Sequence, residues 1–459
     1  MASPEESSHQ EFPSRSSPGY EAPWERAFSR VLSPFEEFIR NQAAGGVVLL
    51  FSALCALILA NSPVGHAYES ALHTSIGVRV GPFELTKSLQ HWINDGLMTL
   101  FFFLVGLEIK GEVLVGSLAS LRQAALPAIA ALGGVIMPAV IYSLINPEGI
   151  AARGWGIPMA TDIAFAVGAL VLLGRRVPRG LLSFLVALAI VDDLAAVVVI
   201  ALFYTEQISG IALLVGALVY LVLLTFNRGG IRNPIPYFVM GTVLWLAMLK
   251  SGVHPTIAGV LLATAIPARS KYDPRRFSEH VSYLMERFDQ DGGGRSMLAS
   301  ARKHSILQTL ENGVHMVETP LQRLEHSLQL PVALVIMPVF ALANAGVALE
   351  VRQLPQVFAS PVALGVAVAL VLGKFVGISG FSWLALRFGV GQLPTGCRFT
   401  HLVGVSLLGG IGFTMSIFIS ELAFGAAPEN LLLAKSGILM ASVMAGALGF
   451  LWLRFAVRD

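Results

Sequence analysis

Apolar residues run through this chain in long blocks separated by short polar breaks. Twelve blocks can be marked, at 43–61, 91–112, 124–145, 155–173, 181–204, 209–226, 235–250, 254–268, 331–349, 361–386, 400–420 and 430–453. Most approach the roughly 20 residues that an α-helix needs to cross a bilayer core. The pattern predicts an all-α polytopic membrane protein with about 12 transmembrane helices. The seventh and eighth blocks are short and separated only by Lys250-Ser251-Gly252-Val253, which reads as a tight hairpin or a single broken crossing. Residues 62–90 contain Ser75-Ile76-Gly77-Val78-Arg79-Val80-Gly81-Pro82-Phe83-Glu84-Leu85, an alternating run about a Gly-Pro turn that predicts a small outward β-hairpin. A structured loop and an interaction surface are both open readings of it.

Composition narrows the class. Hydrophobic residues fill 55% of the 459 positions and charged residues 13%, where a soluble chain is about a quarter charged. That excludes a soluble multidomain enzyme, a disordered chain and a disulfide-stapled secreted domain. Cys55, inside the first block, and Cys397, in a loop, are not expected to pair. Residues 1–42 are polar and rich in Ser, Pro and Glu, without the apolar core and cleavage site of a signal peptide. They read as a cytoplasmic tail before a membrane domain over 43–455. Residues 269–330 form a long charged loop, and 456–459 a short C-terminus. Assigned to alternate loops, 24 Lys and Arg fall on one side and 5 on the other, with Lys374 and Lys435 inside spans. Cytoplasmic loops retain Lys and Arg, so both termini and the 269–330 loop are expected in the cytoplasm.

Four of the eight Asp residues, Asp95, Asp162, Asp192 and Asp193, fall within predicted spans, as does Lys374. Each such charge costs at least ~2.5–3.5 kcal/mol on insertion scales. Asp95, near the outer end of the second span, can equally be structural. The others lie toward mid-span, where a function is the better explanation. Adjacent helical residues point about 100° apart, so Asp192 and Asp193 face different walls of one cavity. Two like charges so close, partly desolvated, favour at least one of the acids taking up a proton, and their oxygens suit a hard cation such as Na⁺ or Li⁺. A site that holds either a proton or a small cation, but not both, is an exchanger.

The helix breaks point to the same place. Span four reads Gly156-Ile157-Pro158-Met159-Ala160-Thr161-Asp162, and span eleven Gly409-Gly410-Ile411-Gly412-Phe413-Thr414-Met415-Ser416. Non-helical backbone at this depth is tolerated only inside protein or beside a water-filled cavity. Spans four and eleven run in opposite directions, so two discontinuous helices of opposed sense predict an inverted-topology repeat. Asp162 is then expected to neutralise the facing helix N-termini and Lys374 the facing C-termini.

The segments Trp92-Ile93-Asn94-Asp95-Gly96-Leu97-Met98, Val105-Gly106-Leu107-Glu108-Ile109-Lys110, Ala160-Thr161-Asp162-Ile163-Ala164-Phe165, Val191-Asp192-Asp193-Leu194, Ala343-Asn344-Ala345-Gly346-Val347 and Gly410-Ile411-Gly412-Phe413-Thr414-Met415-Ser416-Ile417-Phe418 resemble, in order, those of NhaA sodium/proton antiporters. The resemblance runs from about residue 35 to 455. It implies a secondary active transporter of the bacterial inner membrane, not an enzyme and with no cofactor. Such a protein exports Na⁺ or Li⁺ against external protons, two per sodium, electrogenically and under pH control. One net inward charge gains ~2.3 kcal/mol per 100 mV. By motif position the resemblance implies Asp193 as the principal sodium ligand and Asp192 as the second. It implies Lys374 as their lysine partner, hence a candidate proton carrier, with Thr161 and Asp162 at the broken helix. It also implies a pH-sensing group of Glu108, Glu112, Glu325 and His326, together with His254, and a homodimer formed through the 62–90 hairpin. Gln322, Gln329 and Gly111 depart from the Lys, His and Arg often found in the family, which bears on the pH of activation. Two rival readings are weaker. An intramembrane aspartyl protease using Asp162 and Asp193 lacks a Gly-x-Gly-Asp motif, and a sodium–solute symporter would want a wider polar cavity.

Overall fold

The computed structural model describes residues 43–80, 83–116, 118–174, 177–205, 208–269, 281–287, 305–306, 308–310, 318–348 and 354–455. The N-terminal tail, the Gly81-Pro82 turn, Arg175-Arg176, most of the 269–330 loop and the last four residues lie outside them. Helix underlies each of the twelve apolar blocks. Among the described residues, seven helices are long and apolar enough to cross a membrane, or up to nine if each of two bent pairs is one span.

Helix α1 (Ala43–Ala60) turns by 114° into α2 (Gly65–Leu72). Strands β1 (Ser75–Val80) and β2 (Phe83–Ser88) pair antiparallel, Ser75 opposite Ser88 and Val80 opposite Phe83. The second strand thus runs three residues beyond the alternating run in the sequence. A π-turn at Trp92–Leu97 leads into α3 (Met98–Leu114). Then come α4 (Leu121–Ile145), a 3₁₀ helix (Ala151–Met159), α5 (Ile163–Val171), α6 (Arg179–Phe203) and α7 (Gly210–Arg228). The seventh and eighth blocks form a hairpin of α8 (Pro234–Ser251) and α9 (Thr256–Ala265), turning at Gly252 with φ 85°. Gly241 lets Leu262 lie against α8, since a Cβ there would meet Leu262 Cδ2 at 2.6 Å. At 1.5 Å per residue the ten residues of α9 cover about half the hydrocarbon core. Pro255 and Pro267 bracket it and account for its shortness.

The ninth block belongs to a helix that starts earlier than its apolar run. Thr319 and Gln322 form a reciprocal capping box that opens α10 (Pro320–Pro331), which continues through a π-turn at Val332–Ile336 into α11 (Met337–Asn344). Helix α12 (Pro361–Val368) passes through a π-turn at Ala369–Gly373 into α13 (Lys374–Arg387). The chain ends with α14 (Phe399–Leu408), α15 (Phe413–Phe424) and the long α16 (Pro428–Phe455).

Glycines set the tightest crossing, that of α4 with α12 and α13. A Cβ on Gly377 would lie 2.1 Å from Gly133 O, and one on Gly373 2.8 Å from Pro138 Cα. Small residues let backbones approach where no hydrophobic drive exists between helices in lipid. This crossing fixes the height of Lys374. Helix α3 stands between two bodies of packed side chains. Phe102 and Leu104 belong to the large core, while Phe103 and Leu107 join a second one with α7, α8, α9 and α10. On α7, Ile211, Leu214, Leu218 and Leu221 form an exposed apolar stripe, the face a helix presents to lipid.

Candidate functional site

Two interruptions of the helical backbone meet at the centre. Between the 3₁₀ helix and α5, residues 160–162 are non-helical; between α14 and α15, residues 409–412 turn the chain by 46°. Asp162 N donates to Ile411 O at 2.7 Å, and Ser416 Oγ to Ile157 O at 2.8 Å. Phe165 and Phe413 stack edge to face. Unwinding here follows from Pro158 and the glycines 409, 410 and 412, and Asp162 N and the Ile411, Gly409 and Ile157 carbonyls find partners across the crossing.

Asp162 serves both helices that begin there. As N-cap of α5, its Oδ1 accepts from Phe165 N at 3.2 Å. Its Oδ2 accepts from Thr414 N at 3.1 Å and Thr414 Oγ1 at 2.5 Å, in the first turn of α15. Ser442 on α16 accepts from Phe413 N at 3.1 Å. A carboxylate at a helix N-terminus gains both orphan N–H donors and the positive end of the dipole, and Asp162 gains them twice. Thr414 and Ser442 had no role in the sequence reading. The signal for Thr414 was its place two residues after the last glycine of the run, in the first turn of a new helix.

Asp192 and Asp193 lie on α6, 1% and 0% exposed. Asp192 Oδ2 accepts from the Lys374 ammonium and lies 2.7 Å from Thr161 Oγ1. Thr161 Oγ1 is also 2.9 Å from Gly409 O, so its single proton goes to the carboxylate or to the carbonyl. Lys374 is fully buried and ends on Asp192. Among the described residues it makes no hydrogen bond to the carbonyls that close the 3₁₀ helix and α14. Its hydrogen bond goes to the carboxylate, whose full charge outweighs the half-charge of a helix terminus. Asp193 stands apart. Neither of its oxygens, nor Asp192 Oδ1, has a hydrogen-bond partner among the described residues. The charges of Asp192, Asp162, Glu108 and Lys374 all reach it through space.

Glu108 and Glu112 on α3 and Glu325 on α10 are close enough to repel one another, with His326 acting on Glu325. Helix α10 packs close to α3 here, where a Cβ on Gly111 would sit in ordinary contact, 3.5 Å from Glu325 Oε2. Gln322 is engaged in the capping box and so holds the start of α10. His254 is elsewhere. Its Nε2 lies 3.7 Å from Asp95 Oδ1, at the other end of α3 from the glutamates, and its Nδ1 is 2.8 Å from Thr256 Oγ1. The structure therefore gathers four of the five residues grouped as pH-sensing and separates His254 from them. Lys110, between the glutamates, turns to α9 and caps its last carbonyls, at 2.7 Å from Thr264 O and 2.5 Å from Ile266 O.

Fold and site define a multi-pass helical membrane protein built around buried carboxylates, a buried lysine and two crossed backbone breaks. The chain belongs to the Na⁺/H⁺ antiporter 1 family, whose model matches residues 36–453. It is 52% identical over 434 residues to the Na⁺/H⁺ antiporter NhaA 1 of Saccharophagus degradans, covering 94% of this chain and 93% of that one. It is 50% identical over 438 residues to the Na⁺/H⁺ antiporter NhaA of Sulfurimonas denitrificans, covering 95% and 99%. With that of Koribacter versatilis it shares 49% over 430 residues, covering 93% of each.

Proposed function

We propose that this chain is an electrogenic Na⁺(Li⁺)/H⁺ antiporter that exports sodium against external protons, two per sodium. The observation that carries this reading is the set of three buried carboxylate oxygens on Asp192 and Asp193 without a protein hydrogen bond, beside Lys374. Buried polar atoms are nearly always paired, and a carboxylate left bare at this depth is best explained by cargo: a proton or a small hard cation.

The charges follow from the geometry. Asp162 is balanced by two helix N-termini. With Asp192, Asp193 and Lys374 all ionised, the rest carries one negative charge. Sodium on the two aspartates competes with Lys374 for Asp192 and favours loss of the lysine proton, so the sodium-loaded site is net negative. When Asp193 and Lys374 each hold a proton, the same groups are neutral. The two arms of the cycle differ by one charge, worth ~2.3 kcal/mol per 100 mV of inside-negative potential. In this reading the 43–455 membrane domain has twelve crossings, spans four and eleven being the discontinuous members of an inverted repeat. Both termini and the 269–330 loop face the cytoplasm of a bacterial inner membrane. Glu108, Glu112, Glu325 and His326 form the pH-responsive group at the inner mouth, His254 acts from the outer side, and the β1–β2 hairpin joins two copies.

In everted vesicles holding a pH gradient, added Na⁺ collapses the gradient for the wild type. Asp193→Asn abolishes the response at unchanged abundance. Sodium-dependent dequenching retained in that variant removes Asp193 from its role.

A further inference from the structure

The polar side chains left unused by the ion site gather at the far end of α15. Above the crossing, the Phe418 ring packs against Phe102 at 5.8 Å, Phe340 at 6.1 Å and His254 at 5.3 Å. These rings plug the seam between α3 and α11 on one side and α15 on the other. Three residues on, Glu421 Oε1 pairs with Lys435 Nζ of α16 at 2.6 Å, their side chains only 15% and 10% exposed. Gln90 Nε2, just before the π-turn that leads into α3, reaches both Glu421 Oε1 at 3.5 Å and Asn344 Oδ1 at 3.1 Å. Asn344 and Asn94 exchange amide hydrogen bonds at 2.7 and 3.2 Å, and Asn344 also donates to Phe340 O at 3.0 Å. Five polar side chains thus form one chain across the seam, from α16 and α15 to α11 and the head of α3.

We infer that Glu421, Lys435 and Gln90 are positioning residues that latch the outer side of the transport path. The inference rests on the antiporter reading and its orientation. Alternating access needs two discrete arrangements of the same helices, and the aromatic plug alone does not define them, because apolar contact is non-directional. A buried ion pair supplies little stability that an apolar pair would not. What it adds is a geometry that is either made or broken. With the latch made, α15 and α16 are tied to α3 and α11 and the outer path is shut; opening outward requires Gln90 to leave Glu421 and Asn344. Gln90 can donate or accept, so the latch tolerates exchange of the two charges.

The test uses the full-length protein with Cys55 and Cys397 replaced by Ser and a reporter Ser420→Cys, at a fully buried residue beside Glu421. Membrane-impermeant maleimide is applied to right-side-out vesicles. Glu421→Gln and Gln90→Leu each raise the labelling rate roughly tenfold, the effect of one lost hydrogen bond on a two-state equilibrium. In transport, both lower the sodium KM measured from outside relative to that from inside, with Vmax changed less. The charge exchange Glu421→Lys with Lys435→Glu returns both readouts toward the parent. Unchanged labelling and an unchanged KM ratio in folded Gln90→Leu, a partly exposed site that should fold even where Glu421→Gln does not, overturn the latch. A parent protein that exchanges no protons for sodium overturns the antiporter reading instead, and labelling still judges the seam.

Discussion

Asp162 and Asp193 are buried in one cluster on opposite terms. Asp162 accepts three hydrogen bonds from the starts of two helices, while Asp193 accepts none. Burial alone therefore says little about which acid does chemistry. A carboxylate whose oxygens are engaged by helix-start donors, backbone and hydroxyl, is held in one charge state by the fold. One whose oxygens are bare is free to exchange what it holds. Asp192 lies between these cases, with one oxygen on Lys374 and near Thr161 and the other bare.

The largest expected effect breaks the intermediate case. Lys374→Ala leaves Asp192 a buried charge without its cation, and removing one partner of such a pair costs about 3–5 kcal/mol. Thermal unfolding of the purified variant in detergent falls well below the parent, and adding Asp192→Asn recovers much of the loss. A Lys374→Ala protein as stable as the parent shows that the pair does not hold the fold, and the contrast with Asp162 then loses its middle term.

Next in size is the contrast itself. Asp162→Asn puts an amide N–H₂ where donors already converge, so about 1–3 kcal/mol is lost. Asp193→Asn removes a buried charge that accepts no hydrogen bond among the described residues, so the same measurement rises. Opposite shifts of the unfolding midpoint in these two variants sharpen the comparison. Two shifts of the same sign break it.

Much of this was legible in the sequence because membrane folding leaves few options. Acids in apolar blocks are rare enough to be noticed, and Pro158 and the 409–412 glycines mark where a helix cannot continue. Helical character in each block and the strand pair followed from periodicity. Partner choice was not legible. Lys374 lies about as far in sequence from Asp192 as from Asp193, and only the packed helices show that it meets Asp192. His254 was grouped with the glutamates by resemblance alone, although the alternation of loops already puts the start of the eighth block on the opposite face from the end of the second. Gln90 and Glu421 passed unremarked and Lys435 was noted only as a charge inside a span, because their meaning lies in a seam between four segments. The start of α10 was hidden because its capping box precedes an amphipathic turn rather than an apolar one.

The smallest expected effect concerns the one hydroxyl shared between the two breaks and the acids. Thr161 Oγ1 lies within hydrogen-bond distance of both Asp192 Oδ2 and Gly409 O, so its proton can leave the carboxylate without becoming unsatisfied. In the proposed cycle, sodium on Asp192 turns the hydroxyl proton to Gly409 O and meets the hydroxyl oxygen. Thr161→Val keeps the shape and removes this option. A net hydrogen bond is worth about 0.5–1.5 kcal/mol, which corresponds to a several-fold rise in the sodium KM. Thr161→Ser keeps the hydroxyl and stays near the parent. Sodium titrations of vesicle exchange at fixed pH separate the pair of variants. Equal KM values for Val and Ser at this position would reduce Thr161 to a spacer, and would leave Asp192, Asp193 and Lys374 to tell an occupied site from an empty one.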